Sequence, residues 1–340
     1  MGVTIKDVAK KSGVSVTTVS LVLNKRKNRI SEQTKKVIED AALELNYIPN
    51  KSAQSLVTKK TQTIGLVVPE YSYYYCTDLI YSVQTACQNA GYFTILSLTD
   101  SDSDNVFNIL NNLISKDVDG IIFDPSMLVI DNQVTNFLAL IKNASFPIVC
   151  LSYLGSQLPA NSIIPFHRQG AYLATKNLLN LNHKCIACVT GNQIYNLSAE
   201  FVAGYQDALE EAKIPYQEKL VFESSFNPRS EEKCDLEGLI KNGVTSIIAA
   251  SDLIAVKLIK KAVSSGIHVP EDLSICGYGN SAFSCNFLPE LTTVNLHLDR
   301  IARKAVNLIC KANKKTCNIT PEIIPPILIS RDSTIILNYS

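Results

Sequence analysis

Val3-Thr-Ile-Lys-Asp-Val-Ala-Lys-Lys-Ser-Gly-Val-Ser-Val-Thr-Thr-Val-Ser-Leu-Val-Leu-Asn24 decides how this chain is read. Thr4 stands at a helix cap with Asp7 three residues on as its capping-box partner, and Gly13 ends that helix in a tight turn. Ser15 caps a second helix. Along it Val19, Val22 and Leu23 share one face at helical spacing, while Thr17, Ser20, Leu21 and Asn24 fall on the other. Two short helices joined by a glycine-bearing turn, the second with a polar outer face, suit the major groove of DNA. An α-helix fits that groove and offers its N-terminal side chains to base edges.

Working outward, the basic loop Lys25-Arg-Lys-Asn-Arg29 follows, and Ser31 caps a third helix. Its Val37, Ile38, Ala41, Ala42 and Leu45 are expected to form a buried stripe, and Pro49 breaks the chain after it. The net charge of +1 over 340 residues conceals a split. Residues 1–60 carry 12 Lys and Arg against 5 Asp and Glu, a balance of +7, which leaves −6 for the rest. That asymmetry points to a polyanionic partner for the first segment alone. Charge supplies affinity and little discrimination, so base selection falls to the outer face of the second helix.

From Thr61 the pattern changes. Apolar strand candidates Ile64–Val68, Phe93–Leu96, Gly120–Phe123, Ile148–Leu151, Cys185–Thr190, Ser246–Ala250 and Leu273–Cys276 are each followed by a helical stretch. This alternation marks βαβ units, hence parallel sheets with helices on both faces. A single core stops growing near about 250–300 residues, so the remaining 280 residues are expected to form two lobes with a cleft between them. The fold class is α/β with an all-α helix-turn-helix headpiece at the N-terminus.

Other classes are disfavoured. Cys76, Cys87, Cys150, Cys234, Cys276 and Cys310 lie in apolar-periodic segments as small core residues. Cys185 and Cys188 form C-x-x-C within a strand, where a three-residue offset sends the side chains to opposite faces. The N-terminus has no apolar signal-peptide core and no run is long enough to span a bilayer, so a reduced, cytoplasmic location without membrane contact is expected. Neither P-loop, nucleophile elbow nor zincin motif is found, and Gly277-Tyr-Gly279 alone is weak. The four histidines, His167, His183, His268 and His297, lack metal-ligand spacing. No enzyme, metal or cofactor is expected.

Val3-Thr-Ile-Lys-Asp-Val-Ala9, Gly13-Val-Ser15, Thr18-Val-Ser20, Val22-Leu-Asn24 and Leu45-Asn-Tyr-Ile-Pro-Asn50 resemble the headpiece of the lactose-repressor (LacI/GalR) family. The likeness covers nearly all of residues 2–68 and continues loosely through Gly266–Asp272 and Leu291–Thr293. It implies a headpiece at 1–48, a hinge at 49–60 and a two-lobed core at 61–340 resembling periplasmic binding proteins. Lobe 1 would hold about 61–161 and 293–322, and lobe 2 about 162–292 and 323–340. It further implies that Val16 and Thr17 read bases and that Ser15, Thr18, Ser20, Asn24 and Ser31 touch or position phosphates. Asn50, Ala53, Gln54 and Leu56 would form the hinge. Thr4, Leu21, Arg29 and Tyr47 complete the candidate DNA-contacting set. Many members carry Arg, a guanine reader, where this chain has Leu21, and leucine cannot donate to guanine O6 or N7. A weakened guanine preference at that operator position follows.

The segment Asn50 to Val57 has helix-compatible Ala53-Gln54-Ser55-Leu56 but is too short to be stable alone. It is expected to fold on binding DNA and a second copy, with Leu56 wedging between base steps from the minor groove. A homodimer on a palindromic operator is expected, since each headpiece covers one half-site. The tail after Ile329 is too short for a tetramerising coiled coil.

The resemblance also implies repression relieved or enforced by a small molecule between the lobes. Tyr71, Tyr73, Tyr74 and Tyr75 follow the first strand, where open α/β sheets bind ligands; they serve either a ligand or an interface. Asp252 matches a frequent family acid. The family's Arg, however, is replaced by Phe201, its late Asp pair by Gly279-Asn280, and its Asp-Asn pair by Phe166-His167. The candidate effector set is therefore Tyr73, Tyr75, Phe166, Phe201, Asp252 and Asn280. Losing Arg and Asp argues against an ordinary sugar and leaves two readings, a more apolar or aromatic effector or a cleft with no ligand.

Overall fold

The computed structural model describes residues 3–24, 29–48, 60–70, 73–99, 103–126, 134–152, 161–193, 196–227, 229–312 and 320–338. For residues 73–76, 103–104 and 134 it describes the backbone alone. Two units emerge, Met1–Thr61 and Gln62–Ser340.

The first unit holds α1 (Ile5–Ser12), α2 (Val16–Leu23) and α3 (Glu32–Glu44). The Asp7 carboxylate accepts from the Thr4 N–H and hydroxyl, both at 2.8 Å, which holds Asp7 below its ordinary pKa and satisfies free donors at the start of α1. Gly13 ends the helix at φ 69°, a conformation that disfavours any side chain even though no atom lies within 4 Å of where a Cβ would stand. Ser15 and Ser31 cap α2 and α3 by accepting from Thr18 and Thr34 N–H at 3.1 and 3.2 Å. Val8, Val19 and Ile38 are wholly buried at the centre, with Ala9, Val22, Ala41 and Ala42 around them. Val37 departs from the expected stripe: it is 46% exposed. One residue from Ile38 is a rotation of about 100° on a helix, which carries Val37 off the buried face.

The second unit contains two parallel sheets. In the first, β1 (Thr63–Pro69), α4 (Tyr73–Asn89), β2 (Phe93–Thr99), α5 (Ser103–Ser115), β3 (Gly120–Phe123), α6 (Val134–Asn143) and β4 (Ile148–Cys150) give the strand order β2-β1-β3-β4. Leu66 lies in register with Leu96 on one side and Ile122 on the other. The chain then runs through β5 (Ile163–Pro165) and α7 (His167–Asn180) into the second sheet. There β6 (Ile186–Thr190), α8 (Asn196–Glu211), β7 (Val221–Glu223), α9 (Leu236–Lys241), β8 (Ser246–Ala249), α10 (Asp252–Ser264) and β9 (Ser274–Cys276) repeat the order as β7-β6-β8-β9. The strands of both sheets are largely Ile, Val and Leu because helices cover both faces.

After β9, β10 (Thr293–Asn295) leads to α11 (Leu298–Lys311), which packs on α4, β3 and β4 and so belongs to the first lobe. β11 (Glu322–Ile324) pairs with β5, and β12 (Ile327–Ile329) pairs antiparallel with β10. These short ribbons are where the chain passes between the lobes, and periodicity could not find them because three residues carry no readable alternation. The chain finishes on the second lobe, where Ile275 N–H donates to the Ser333 carbonyl. Among the described cysteines Cys87, Cys150, Cys234 and Cys276 are buried, and Cys310 is half-buried. Cys188 is buried while Cys185 is half-exposed, as the strand offset requires.

Candidate nucleic-acid interface and core cavity

The exposed surface of the first unit follows from how α2 is anchored. Val19 and Val22 fix its inner face, so Val16 and Thr17, one turn or less away, stand exposed at its N-terminal end. Ser15 and Thr18 hydroxyls are joined at 2.8 Å, and Asn24 Nδ2 donates to Ser20 Oγ at 3.1 Å. Leu21 is half-buried beside them. Thr4, Arg29 and Ser31 are exposed, and Tyr47 packs partly against the small core, which raises the pKa of its phenol by burial. The capped N-termini of α2 and α3 leave backbone N–H groups directed outward, a geometry suited to phosphate. Asn50, Ala53, Gln54 and Leu56, with most of the basic loop, lie outside the described residues.

The second unit holds a cavity of about 50 Å³ at the carboxyl ends of the strands. Its polar lining is Asp78 of α4, Ser126 after β3, His167 of α7, Ser251 and Asp252 at the start of α10, and Tyr278 and Ser281 after β9. Leu197, Phe226, Leu253 and Leu296 supply its apolar walls. In each sheet the strand order reverses next to the strand that delivers a lining residue, β3 in one and β8 in the other, which is where doubly wound sheets hold ligands.

Asp252 is 2% exposed and serves the scaffold. Its carboxylate accepts from Ser281 N–H at 2.6 Å and Thr293 Oγ1 at 2.5 Å, and its own N–H donates to the Tyr278 carbonyl at 2.9 Å. Burial raises its pKa, opposed by the Thr293 and Ser281 hydrogen bonds. Asp78 is also pushed up, first by burial and then by the charge of Asp252. His167 is neutral: burial drives it down to about 4, and its Nδ1 lies 3.0 Å from the Tyr278 hydroxyl. Asp124, after β3, is buried with Oδ1 on Ser126 N–H and Oδ2 unpartnered among the described residues.

The expected effector residues are only partly brought together. Asp252 lines the cavity; Phe166, Phe201 and Asn280 are not among its lining residues. Phe201 is 2% exposed and meets Tyr278 edge-on at 5.2 Å, an aromatic core contact. Asn280 is held by Arg331, whose Nη2 donates to its Oδ1 at 2.8 Å. Phe166 is half-buried at the start of α7. Tyr73 and Tyr75 lie in the first turn of α4, and their side chains fall outside the described residues. Sequence reasoning missed Asp78, Ser126, Tyr278 and Ser281. The available signal was an acid in the otherwise uncharged first turns of a helix that follows a strand.

Comparison with known proteins agrees with this architecture. Residues 4–50 match the family described as bacterial regulatory proteins, lacI family, and residues 175–334 match a periplasmic binding protein-like domain. The chain is 33% identical over 331 residues to an HTH-type transcriptional repressor PurR of Actinobacillus pleuropneumoniae serotype 3, covering 94% of this chain and 96% of that protein. It is also 33% identical to the HTH-type transcriptional regulator DegA of Bacillus subtilis, covering 99% of this chain and 100% of DegA. Among solved structures, the lac repressor dimer bound to operator and the anti-inducer ONPF superimposes with a TM-score of 0.83 at 25% identity, covering 98% of this chain and 100% of that one. This chain, a helix-turn-helix unit followed by two parallel-sheet lobes, belongs to the lacI family of bacterial regulatory proteins and is a DNA-binding transcription regulator, not an enzyme.

Proposed function

We propose that this chain represses transcription by binding a palindromic operator as a homodimer, under control of a small molecule in the core cavity. One observation carries the reading: α2 is anchored by Val19 and Val22 and presents Val16 and Thr17 at an exposed, capped N-terminus within a segment of charge +7. Val16 and Thr17 contact base edges, Ser15, Thr18, Ser20, Asn24 and Ser31 engage or position phosphates, and Leu56 wedges from the minor groove with Asn50, Ala53 and Gln54 around it. Similarity to proteins named as repressors supports repression.

The homodimer is supported by the edge of the first sheet. Phe93, Leu96 and Leu98 on β2 and Tyr81 on α4 are exposed, and an apolar sheet edge of this kind pairs with another surface. Effector control is supported by the cavity: about 50 Å³ is small against the roughly 300–1,000 Å³ of ligand pockets. A ligand of ordinary size therefore needs the cavity to widen, and a ligand that binds one arrangement of the lobes better shifts the balance between them. An ordinary sugar is disfavoured because no Arg or Lys is among the described residues lining the cavity. Among the described residues no helix is long and apolar enough to cross a membrane, and the site of action is the cytoplasm, where the operator lies.

The test is selection from random duplexes by the full-length protein at moderate ionic strength, followed by gel shift on the selected site. A palindromic consensus is expected, with affinity lost at least about tenfold in Thr17→Ala or Leu56→Ala while the second unit melts unchanged. No preference over random competitor would overturn the regulator mechanism proposed here.

A further inference from the structure

The wall of the core cavity turns through two residues with left-handed backbone, Gly279 at φ 124° and Asn280 at φ 51°. Tyr278, Gly279 and Ser281 on this turn line the cavity, and the Ser281 N–H reaches the Asp252 carboxylate. A residue with a side chain keeps such a backbone only where its surroundings hold it there. Asn280 is held from two sides. Its N–H donates to the Thr293 hydroxyl of β10 at 3.2 Å, and its Oδ1 accepts from Nη2 of Arg331, two residues beyond β12, at 2.8 Å.

Arg331 also grips the far end of the same loop. Its Nη1 donates to the Leu291 carbonyl at 2.7 Å and to Ser284 Oγ at 3.2 Å, and its backbone N–H donates to the Thr292 hydroxyl at 2.9 Å. Among the described residues its ion-pair partner is Glu290, at 3.8 Å. The side chain is only 15% exposed. A largely buried guanidinium therefore uses its close bonds on neutral oxygens. Desolvation makes this a poor source of stability; what a planar fork supplies is fixed geometry. Here the fork clamps residues 280–291 to the end of β12, which pairs with β10 where the chain passes between the lobes. A shift of one lobe against the other moves that ribbon and, through Arg331, the turn in the cavity wall.

We propose that Arg331 is the positioning residue of the effector switch: its guanidinium ties the turn at Asn280 to the β10–β12 passage, so that the arrangement of the lobes sets the shape of the cavity. This rests on the reading of the cavity as the effector site and names the residue that couples it to lobe movement. Linkage between two binding sites is reciprocal, so an operator that favours one arrangement of the lobes is felt at this wall.

The test reads that response directly. The chain contains no tryptophan, and Phe283, 50% exposed on the clamped loop, can be replaced by Trp as a single fluorescent reporter. The full-length reporter protein is titrated with the duplex recovered by selection, and saturation is followed by anisotropy of a labelled strand. Its emission is expected to change as the duplex binds. The change should vanish in Arg331→Gln, and also in Arg331→Lys, whose ammonium lacks the fork that spans Asn280 and Leu291. Asn280→Gly removes the other half of the clamp while tolerating the left-handed backbone, so it should abolish the change as well and carries the test if Arg331→Gln does not fold. The double variant should match either single one. A lower unfolding midpoint with the emission change intact shows a structural brace and overturns the proposal. Restoration of the change by Arg331→Lys overturns it too, because charge alone then suffices. Either result leaves effector control of the lobes standing. A reporter protein with no emission change at saturating duplex refutes both the proposal and that control.

Discussion

The charge state of His167 governs the electrostatics of the cavity, and it can be measured through stability. The imidazole is 6% exposed, and burial lowers its pKa from 6.5 to about 4. The unfolded chain takes up a proton near pH 6.5 while the folded one stays neutral, so below that pH the unfolded state binds more protons. Stability from this group is complete above pH 6.5 and is lost as the pH falls toward 4. At about 1.4 kcal/mol per pH unit the full loss is about 3 kcal/mol, of which about 2 kcal/mol falls between pH 7.5 and 5. Asp124 and Asp252, whose folded pKa values are raised, act in the opposite sense and gain stability as the pH drops through those values. The comparison must therefore be differential. His167→Gln keeps a polar partner for the Tyr278 hydroxyl and removes the titration. Urea unfolding of the full-length protein, followed by circular dichroism at pH 7.5 and 5, should show wild type losing about 2 kcal/mol more than the variant. Equal losses, within about 0.5 kcal/mol, would refute a buried neutral imidazole.

Three further outcomes are expected. Ile38→Ala removes a wholly buried side chain from the small core of the first unit; at about 2–5 kcal/mol it should abolish the headpiece transition and operator binding in a two-phase melt, leaving the second unit intact. Gly204→Ala would place a Cβ 2.0 Å from the Arg168 carbonyl oxygen, where α8 packs on α7. The helices must separate, at about 1–3 kcal/mol by chemical unfolding; an unchanged midpoint would show that the backbone gives. Leu21→Arg restores a guanine donor on the outer face of α2, so binding-site selection should gain a guanine at one position of each half-site; an unaltered consensus contradicts the assignment of Leu21.

The headpiece was legible in the sequence because its signals are local: Ser15 and Ser31 cap helices three residues away, and Val19, Val22 and Ile38 recur at helical spacing. The parallel strands were legible for a similar reason, as apolar runs such as Gly120–Phe123 are buried whatever surrounds them. Val37 shows the resolution of such reasoning, since one residue of phase moved it from core to solvent.

The cavity was not legible, because its members come together only by tertiary folding. Asp78, His167, Asp252 and Ser281 are separated by tens of residues and drawn from both lobes, and no spacing rule connects them. The family resemblance implied that Phe201 and Asn280 stand where other polar groups are common; only packing shows Phe201 against Tyr278 and Asn280 under Arg331. Local order and fold class are set by short-range capping and hydrophobic period, which the chain carries residue by residue. Burial, charge compensation and the partner of each polar atom depend on distances closed by the whole fold, so the tertiary structure alone decided them.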